Sequence, residues 1–289
     1  MNDRVFTSSR RSLLKTIAAI GIVSPFVSLA KSAYAAQSLL ERIKAGDVVK
    51  LGFANENPYG YPGDKGEPLG FINDITIQVL KKLGTTKIEP IQTEWGSLVP
   101  GLQAGRFDVI TGGMFVLPDR CKNMLFTEPL GKFGDAFLVA KGNPQALHSF
   151  HDIRDKGLSI VTGAGWLSVK AARQAGIPDD KILQVAGAPE VVQAVKSGRA
   201  AAGSGDYFVM KRFVDNDNSL ELADPFQQIM PEGYPALAFL PSQQEEVDAF
   251  NAVLKDYLGS DEMLARVAKY GYTKEHLPGS KTTADLCKG

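Results

Sequence analysis

KIEPIQTEWGSLVPGLQAGRFDVIT, residues 87–111, carries the repeating unit that decides the fold. Lys87-Ile88-Glu89-Pro90-Ile91 reads as a strand, Trp95 to Ala104 as a helix, and Phe107-Asp108-Val109-Ile110-Thr111 as the next strand. The same alternation precedes it. Val48-Val49-Lys50-Leu51-Gly52-Phe53 is a β-rich run after the turn-like Ala45-Gly46-Asp47. A loop dense in turn formers follows, from Asn55 to Asp64. Phe71 to Leu83 then sets Ile72, Ile75, Val79, Leu80 and Leu83 at helical spacing, and Gly84 stops the helix. Strand and helix in alternation predict an α/β fold, with a mostly parallel sheet and helices on its faces.

Further along, Asp135 to Ala140 is an extended apolar segment closed by Lys141-Gly142-Asn143-Pro144. The alternation then restarts. Leu158–Val161, Ile182–Val185 and Ala200–Gly203 read as strands, with helices over Leu167–Gln174 and Pro189–Ser197 between them. Tyr234 to Leu240 is a second long extended segment, and helices over Glu245–Leu258 and Glu262–Tyr270 close the chain. Two α/β units joined by two extended segments, near 135–143 and 233–241, predict two lobes with two crossing hinge strands. The first lobe is expected over 36–138 and 239–289, the second over 139–238. A cleft between lobes is a favoured place for a ligand.

The chain has 289 residues, 44% of them apolar, enough for two lobes with ordinary cores. Its first segment has a charged start, an apolar run from Ile17 to Ala30 and a small-residue site at Ala33-Tyr34-Ala35. That is the layout of an export signal over residues 1–35, too short and interrupted for a membrane span. Ser9-Arg10-Arg11-Ser12-Leu13-Leu14-Lys15 resembles the twin-arginine form of such a signal, against the alternative of an ordinary signal with two incidental arginines. Removal of residues 1–35 takes away five basic residues and one acidic one, leaving 27 basic against 31 acidic, a net charge of −4. An acidic exported protein is a poor candidate for nucleic acid. In an oxidising compartment Cys121 and Cys287 can form one disulfide, which would tie the C-terminus beside Arg120; the alternative is two unrelated thiols.

The usual marks of catalysis are missing from the sequence. His148 and His151 stand three apart in an expected loop without a cysteine or acidic cluster, so no metal site is expected. There is no Gly-x-Ser-x-Gly elbow and no phosphate loop, and no cofactor is expected. Gly163-Ala164-Gly165 opens a helix after a strand and offers backbone N–H groups to an anion, but lacks the third glycine of a dinucleotide site. What stands out is Glu56, Tyr59, Trp95, Phe115 and Arg120. Each lies at the C-terminal edge of an expected strand or at the start of the next helix, and such edges face one crevice. Singly, each has an ordinary explanation: Trp95 and Phe115 as core, Glu56 as a loop acid, Arg120 paired with Asp119 or Glu128. Together, three aromatic faces for a delocalised cation, an acceptor carboxylate and a guanidinium suit a small zwitterion.

These residues also carry a resemblance. Trp95-Gly96-Ser97-Leu98-Val99-Pro100-Gly101-Leu102, Gly105-Arg106-Phe107-Asp108, Pro118-Asp119-Arg120 and Asp206 are similar to the solute-binding proteins of polar amino-acid ABC transporters. The likeness runs over about 48–275. Gly52-Phe53-Ala54-Asn55-Glu56-x-Pro58-Tyr59, Gly112-Gly113-Met114-Phe115 and Arg120-Cys121 resemble, within them, the ectoine/hydroxyectoine-binding proteins. The resemblance implies the type II periplasmic-binding-protein fold, a soluble periplasmic monomer that is not an enzyme, and a permease partner. It implies that Glu56 bonds the ring N–H groups, that Arg120 holds the carboxylate, and that Tyr59, Trp95 and Phe115 form a cage. Phe115 stands where amino-acid binders usually have Ser or Thr. Gly163-Ala164-Gly165-Trp166 replaces their usual Gly-Thr, leaving Trp166 either to close the cage or simply to pack. Asp206 matches the acid that holds an α-amine, which keeps an amino acid or another compatible solute in play. A lyase or dehydratase on the same scaffold is the rival class.

Overall fold

The computed structural model describes residues 37–229 and 231–288. The export signal expected over 1–35 lies outside them. The chain enters through helix α1 (Leu39–Lys44), whose Ser38 and Glu41 form a reciprocal cap. Strand β1 (Val49–Phe53) follows, then a small hairpin of β2 (Tyr61–Pro62) and β3 (Pro68–Leu69). Helix α2 (Phe71–Leu83) buries Phe71, Ile72, Ile75, Val79 and Leu80 and ends at Gly84, whose N–H bonds the Leu80 carbonyl. After β4 (Ile88–Gln92), a 3₁₀ turn over Trp95–Ser97 runs into α3 (Leu98–Gln103). β5 (Val109–Ile110), α4 (Pro118–Cys121) and β6 (Leu125–Phe126) complete this stretch.

From β7 (Asp135–Ala140) the chain builds elsewhere: α5 (Phe150–Asp155), β8 (Ile160–Gly163), α6 (Leu167–Gln174), β9 (Ile182–Val185), α7 (Ala188–Lys196), β10 (Ala202–Asp206), α8 (Tyr207–Asn216) and β11 (Leu220–Leu222). It returns through β12 (Ala238–Phe239) and ends with α9 (Gln244–Tyr257), α10 (Asp261–Val267) and α11 (Thr283–Lys288).

Two five-stranded sheets result, ordered β4-β1-β5-β12-β6 and β11-β7-β10-β8-β9. In the first, β4, β1 and β5 are parallel and β12 runs against its neighbours. In the second, β9, β8 and β10 are parallel while β7 runs against β10 and β11. Among the parallel strands, β1, β5, β8 and β10 are largely buried, as crossover helices on both faces require, while β4 and β9, at the sheet edges, are partly exposed. The chain passes between the sheets at 127–134 and 223–237. Of the two segments expected to cross, 135–143 lies largely inside the second sheet as β7, because a buried strand and a crossing strand are equally apolar, whereas 233–241 runs through the return crossing and enters the first sheet as β12. Bridges Phe115–Pro235 and Phe133–Gly233 pair the crossing segments with one another and with the site loop. Cys121 in α4 and Cys287 in α11 are joined by a disulfide. His151 lies in α5 rather than in a loop.

Candidate functional site

The functional side chains sit where the strands of both sheets end. Glu56 and Tyr59 share a tight turn after β1, in which the Tyr59 and Gly60 N–H groups bond the Glu56 carbonyl at 2.7 and 3.1 Å. The Tyr59 ring packs between Phe71 and Phe133, with ring centres 4.9 and 5.0 Å away. Trp95 opens the turn after β4, and Phe115 lies in the loop after β5. The Phe115 ring lies so close on Gly233 of the returning segment that a Cβ there would overlap it. Arg120 stands in α4.

From the second sheet, Trp166 caps α6 after β8, and Asp206 ends β10 and caps α8. Gly163 and Gly205, on β8 and β10, have no side chains to keep the indole of Trp166 off the sheet; a Cβ at Gly205 would stand 2.7 Å from that ring.

These residues surround one cleft with about 470 Å³ of empty space, part of it open to solvent. Glu56, Tyr59, Trp95, Phe115, Arg120, Trp166 and Asp206 all line it. Gly165 joins at the rim: the Arg120 Nη2 group donates to its carbonyl at 2.9 Å, and Nη1 donates to the Phe115 carbonyl at 2.8 Å. The Arg120 guanidinium lies 5.9 Å from the centre of the Trp95 ring. Among the described residues no carboxylate pairs with Arg120: Asp119 takes Lys122, and Glu128 accepts from the Thr283 N–H. Three of its five N–H donors stay free of protein acceptors.

Sequence reading gave no site role to six lining residues: Gly112 and Gly113, quoted only within the motif that ends at Phe115, and Asp135, Leu167, Ser168 and Val209. Leu167, Ser168 and Val209 belong to first helical turns, next to the capping residues already singled out. Asp135 is different. It starts β7, and β7 runs antiparallel to β10, so its N-terminal end reaches the edge where the parallel strands finish. A search of C-terminal strand edges passes over it.

The cleft is acidic. Glu56 is only 5% exposed, and burial pushes its carboxyl up to about 8. The Trp166 indole N–H beside it favours the charged form, while Asp206, Glu190 and Glu94 oppose it. Burial raises Asp135 to about 7. Burial also raises Asp206 to about 7; nearby Tyr59 and two backbone N–H groups pull it down and Asp135 pushes it up. Arg120 is lowered by burial to about 10 and stays a cation at neutral pH. Three recessed carboxyls thus face one guanidinium, among aromatic walls. That arrangement offers acceptors to a cationic group and donors to a carboxylate.

Comparison with known proteins agrees with the geometry. The family model of bacterial extracellular solute-binding proteins, family 3, matches residues 49–273. The probable amino-acid ABC transporter periplasmic-binding protein y4tE of Sinorhizobium fredii is 34% identical over 279 residues, 93% of this chain and 92% of its own. The crystal structure of EhuB in complex with hydroxyectoine aligns with a TM-score of 0.79 at 30% identity, covering 86% of this chain and 97% of that one. The cyclohexadienyl dehydratase of Pseudomonas aeruginosa is 22% identical over 193 residues, 66% of this chain and 69% of its own.

Proposed function

The chain belongs to family 3 of the bacterial extracellular solute-binding proteins, with the type II periplasmic-binding-protein fold, and serves an amino-acid-type ABC transporter; from that premise we propose that its ligand is a cyclic amidinium carboxylate of the ectoine or hydroxyectoine kind. One observation carries the reading. Arg120 keeps free donors toward a cleft walled by Tyr59, Trp95 and Phe115, with the buried Glu56 on the same cleft. Arg120 grips the carboxylate through parallel hydrogen bonds, and Glu56 accepts from the ring N–H groups. The aromatic faces cover a cation whose charge is spread over a ring. EhuB, solved with hydroxyectoine, supports this choice among zwitterions.

A polar amino acid is the second reading, favoured by Asp206. Its Oδ2 is buried without a partner and would accept from an α-ammonium group. In either case the cleft holds the solute, no bond is made or broken, and the loaded protein docks on the permease outside the cytoplasmic membrane. The likeness to a dehydratase makes a turnover assay with cyclic substrates a necessary control.

Titration with ectoine, hydroxyectoine and a panel of polar amino acids, followed by tryptophan fluorescence, tests the reading. Trp95 and Trp166 are the only tryptophans in the chain, and both line the cleft. A saturable change with the ectoines alone is the expected result. A response to one amino acid alone would keep Arg120 and overturn the role given to Phe115.

A further inference from the structure

Asp135 and Asp206 stand directly opposite one another on the antiparallel ladder between β7 and β10. Opposed residues on such a ladder point to one face of the sheet, with Cβ atoms about 4.5–5.5 Å apart. Both side chains line the cleft. No lysine, arginine or histidine pairs with either acid among the described residues.

The pair has unmet hydrogen-bonding capacity. Asp206 Oδ1 accepts from the Phe208 and Val209 N–H groups at 2.8 and 3.2 Å, which leaves Oδ2 buried and unpartnered. The Tyr59 hydroxyl lies beside Asp206, on a residue only 3% exposed, and it too meets no partner at hydrogen-bonding geometry. The two are neighbours and can partly satisfy one another, and the remaining acceptor capacity of Oδ2 is open to a polar group entering the cleft.

We propose that Asp135 and Asp206 share one proton while the cleft is empty and release it when a cationic nitrogen enters. Two carboxylates opposed on one ladder, partly buried in the wall of the cleft, resist ionising together at ordinary pH. An entering ammonium, amidinium or guanidinium supplies the missing positive charge. The O–H bond of the protonated acid then breaks, its proton goes to solvent, and the freed carboxylate accepts from the ligand N–H. Both acids are pushed up to about 7. The inference rests on the cleft being the site of a cation-bearing solute, and it gives Asp135 the role of coupling that site to pH.

Other charges face the pair. In the cleft these are Glu56, Tyr59 and Arg120. Glu56 also carries a proton near neutrality, so proton release alone does not identify the pair. Arg120 is held toward the Phe115 and Gly165 carbonyls. On the groove that Asp135 also borders stand Lys132, Glu232, Glu275 and His276.

Two measurements test the proposal on the full chain. The first needs no ligand: the ¹³C-carboxyl resonances of aspartate are titrated in the empty protein. Asp135 and Asp206 are expected to share a step above about pH 6, and in Asp135→Asn the Asp206 step falls by at least about one pH unit. Both wild-type groups titrating below pH 5 overturns the proposal, and this arm stands even where the variant fails to fold. The second is calorimetry with ectoine and with arginine, in phosphate and in Tris at pH 6.5. Wild type is expected to release about half a proton or more per ligand beyond what Asp135→Asn releases. Equal release overturns the proposal. Binding of neither probe to wild type, with the shared step present, strikes the functional reading instead and leaves the pair standing.

Discussion

Arg120 concentrates the chemistry of the cleft in one side chain. Two N–H groups are spent on the Phe115 and Gly165 carbonyls, which fix the plane of the guanidinium. The rest have no protein acceptor among the described residues, on a side chain that lines the cleft. Arg120→Ala would leave a bound carboxylate desolvated and unpaired, and charged hydrogen bonds of this kind are worth roughly 1.5–3 kcal/mol each. Calorimetry is expected to show affinity falling by about 100-fold or more. Arg120→Lys keeps the charge but not the fork, so most of that loss remains. Phe115→Ala removes an aromatic wall and its packing on Gly233, a loss of roughly 1–3 kcal/mol. Affinity unchanged in both variants would place the ligand elsewhere. Arg120 and Phe115 were legible because they follow a strand that the pattern also revealed. Asp135 was hidden because it begins a strand, and only the antiparallel register of β7 brings it to the same rim.

At the scale of elements, the second sheet lends the site a flat seat. β8 and β10 are neighbours, and Gly163 and Gly205 leave the floor on which Trp166 lies. Gly163→Ala would put a methyl group into the indole and lift it from the sheet. Overpacking of this kind costs about 1–3 kcal/mol. The expected result is a lower Tm together with a changed tryptophan emission; unchanged emission would mean that the indole does not rest there. The disulfide acts on the first half of the cleft. It anchors α4, where Cys121 follows Arg120 directly, to α11, closing a separation of 166 residues. Loop entropy alone gives such a link up to about 5 kcal/mol. Cys287→Ser is therefore expected to lower the denaturation midpoint in guanidinium, and an unchanged midpoint would remove the link from the stability of the fold. α2 could be read from its periodicity because its apolar residues at helical spacing are the buried ones, and β9 from its run of Ile, Leu and Val. α11, β11 and β6 could not: α11 has six residues and the strands only three and two, too few to show a period. Such elements are fixed by the partners they pair with, not by their own pattern.

For the whole molecule, alternation of strand and helix was enough to foresee two α/β units, because short strand-forming runs and amphipathic helices follow one another in both halves of the chain. The return crossing includes the expected 233–237, whereas the outward one comes before the expected segment, since β7 is equally apolar inside the second sheet. What the folding of both units creates is a cleft whose charges are set against stability. Glu56, Asp135 and Asp206 come from different turns and strands, and no local pattern announces that they meet. An acid whose folded pKa lies above its unfolded one binds more protons folded than unfolded between the two values, so stability falls as pH rises across that window. The window runs from 4.5 to about 8 for Glu56 and from 3.8 to about 7 for the two aspartates. Carboxyls held low by partners, such as Asp217 beside Lys196 and Asp152 at its helix cap, act at lower pH, where they add stability as pH rises. The empty protein is therefore expected to unfold at a lower temperature at pH 8 than at pH 5.5, by less than full burial would dictate, because water reaches the cleft. A saturating cationic ligand pairs the same carboxylates and binds only the folded state, so it should raise the Tm more at pH 8 than at pH 5.5. Thermal unfolding across that range, with and without ligand, checks both halves. A Tm that climbs steadily from pH 5.5 to pH 8 without ligand would mean that the three carboxyls are already ionised in water, and the cleft would then have no stored charge for a ligand to relieve.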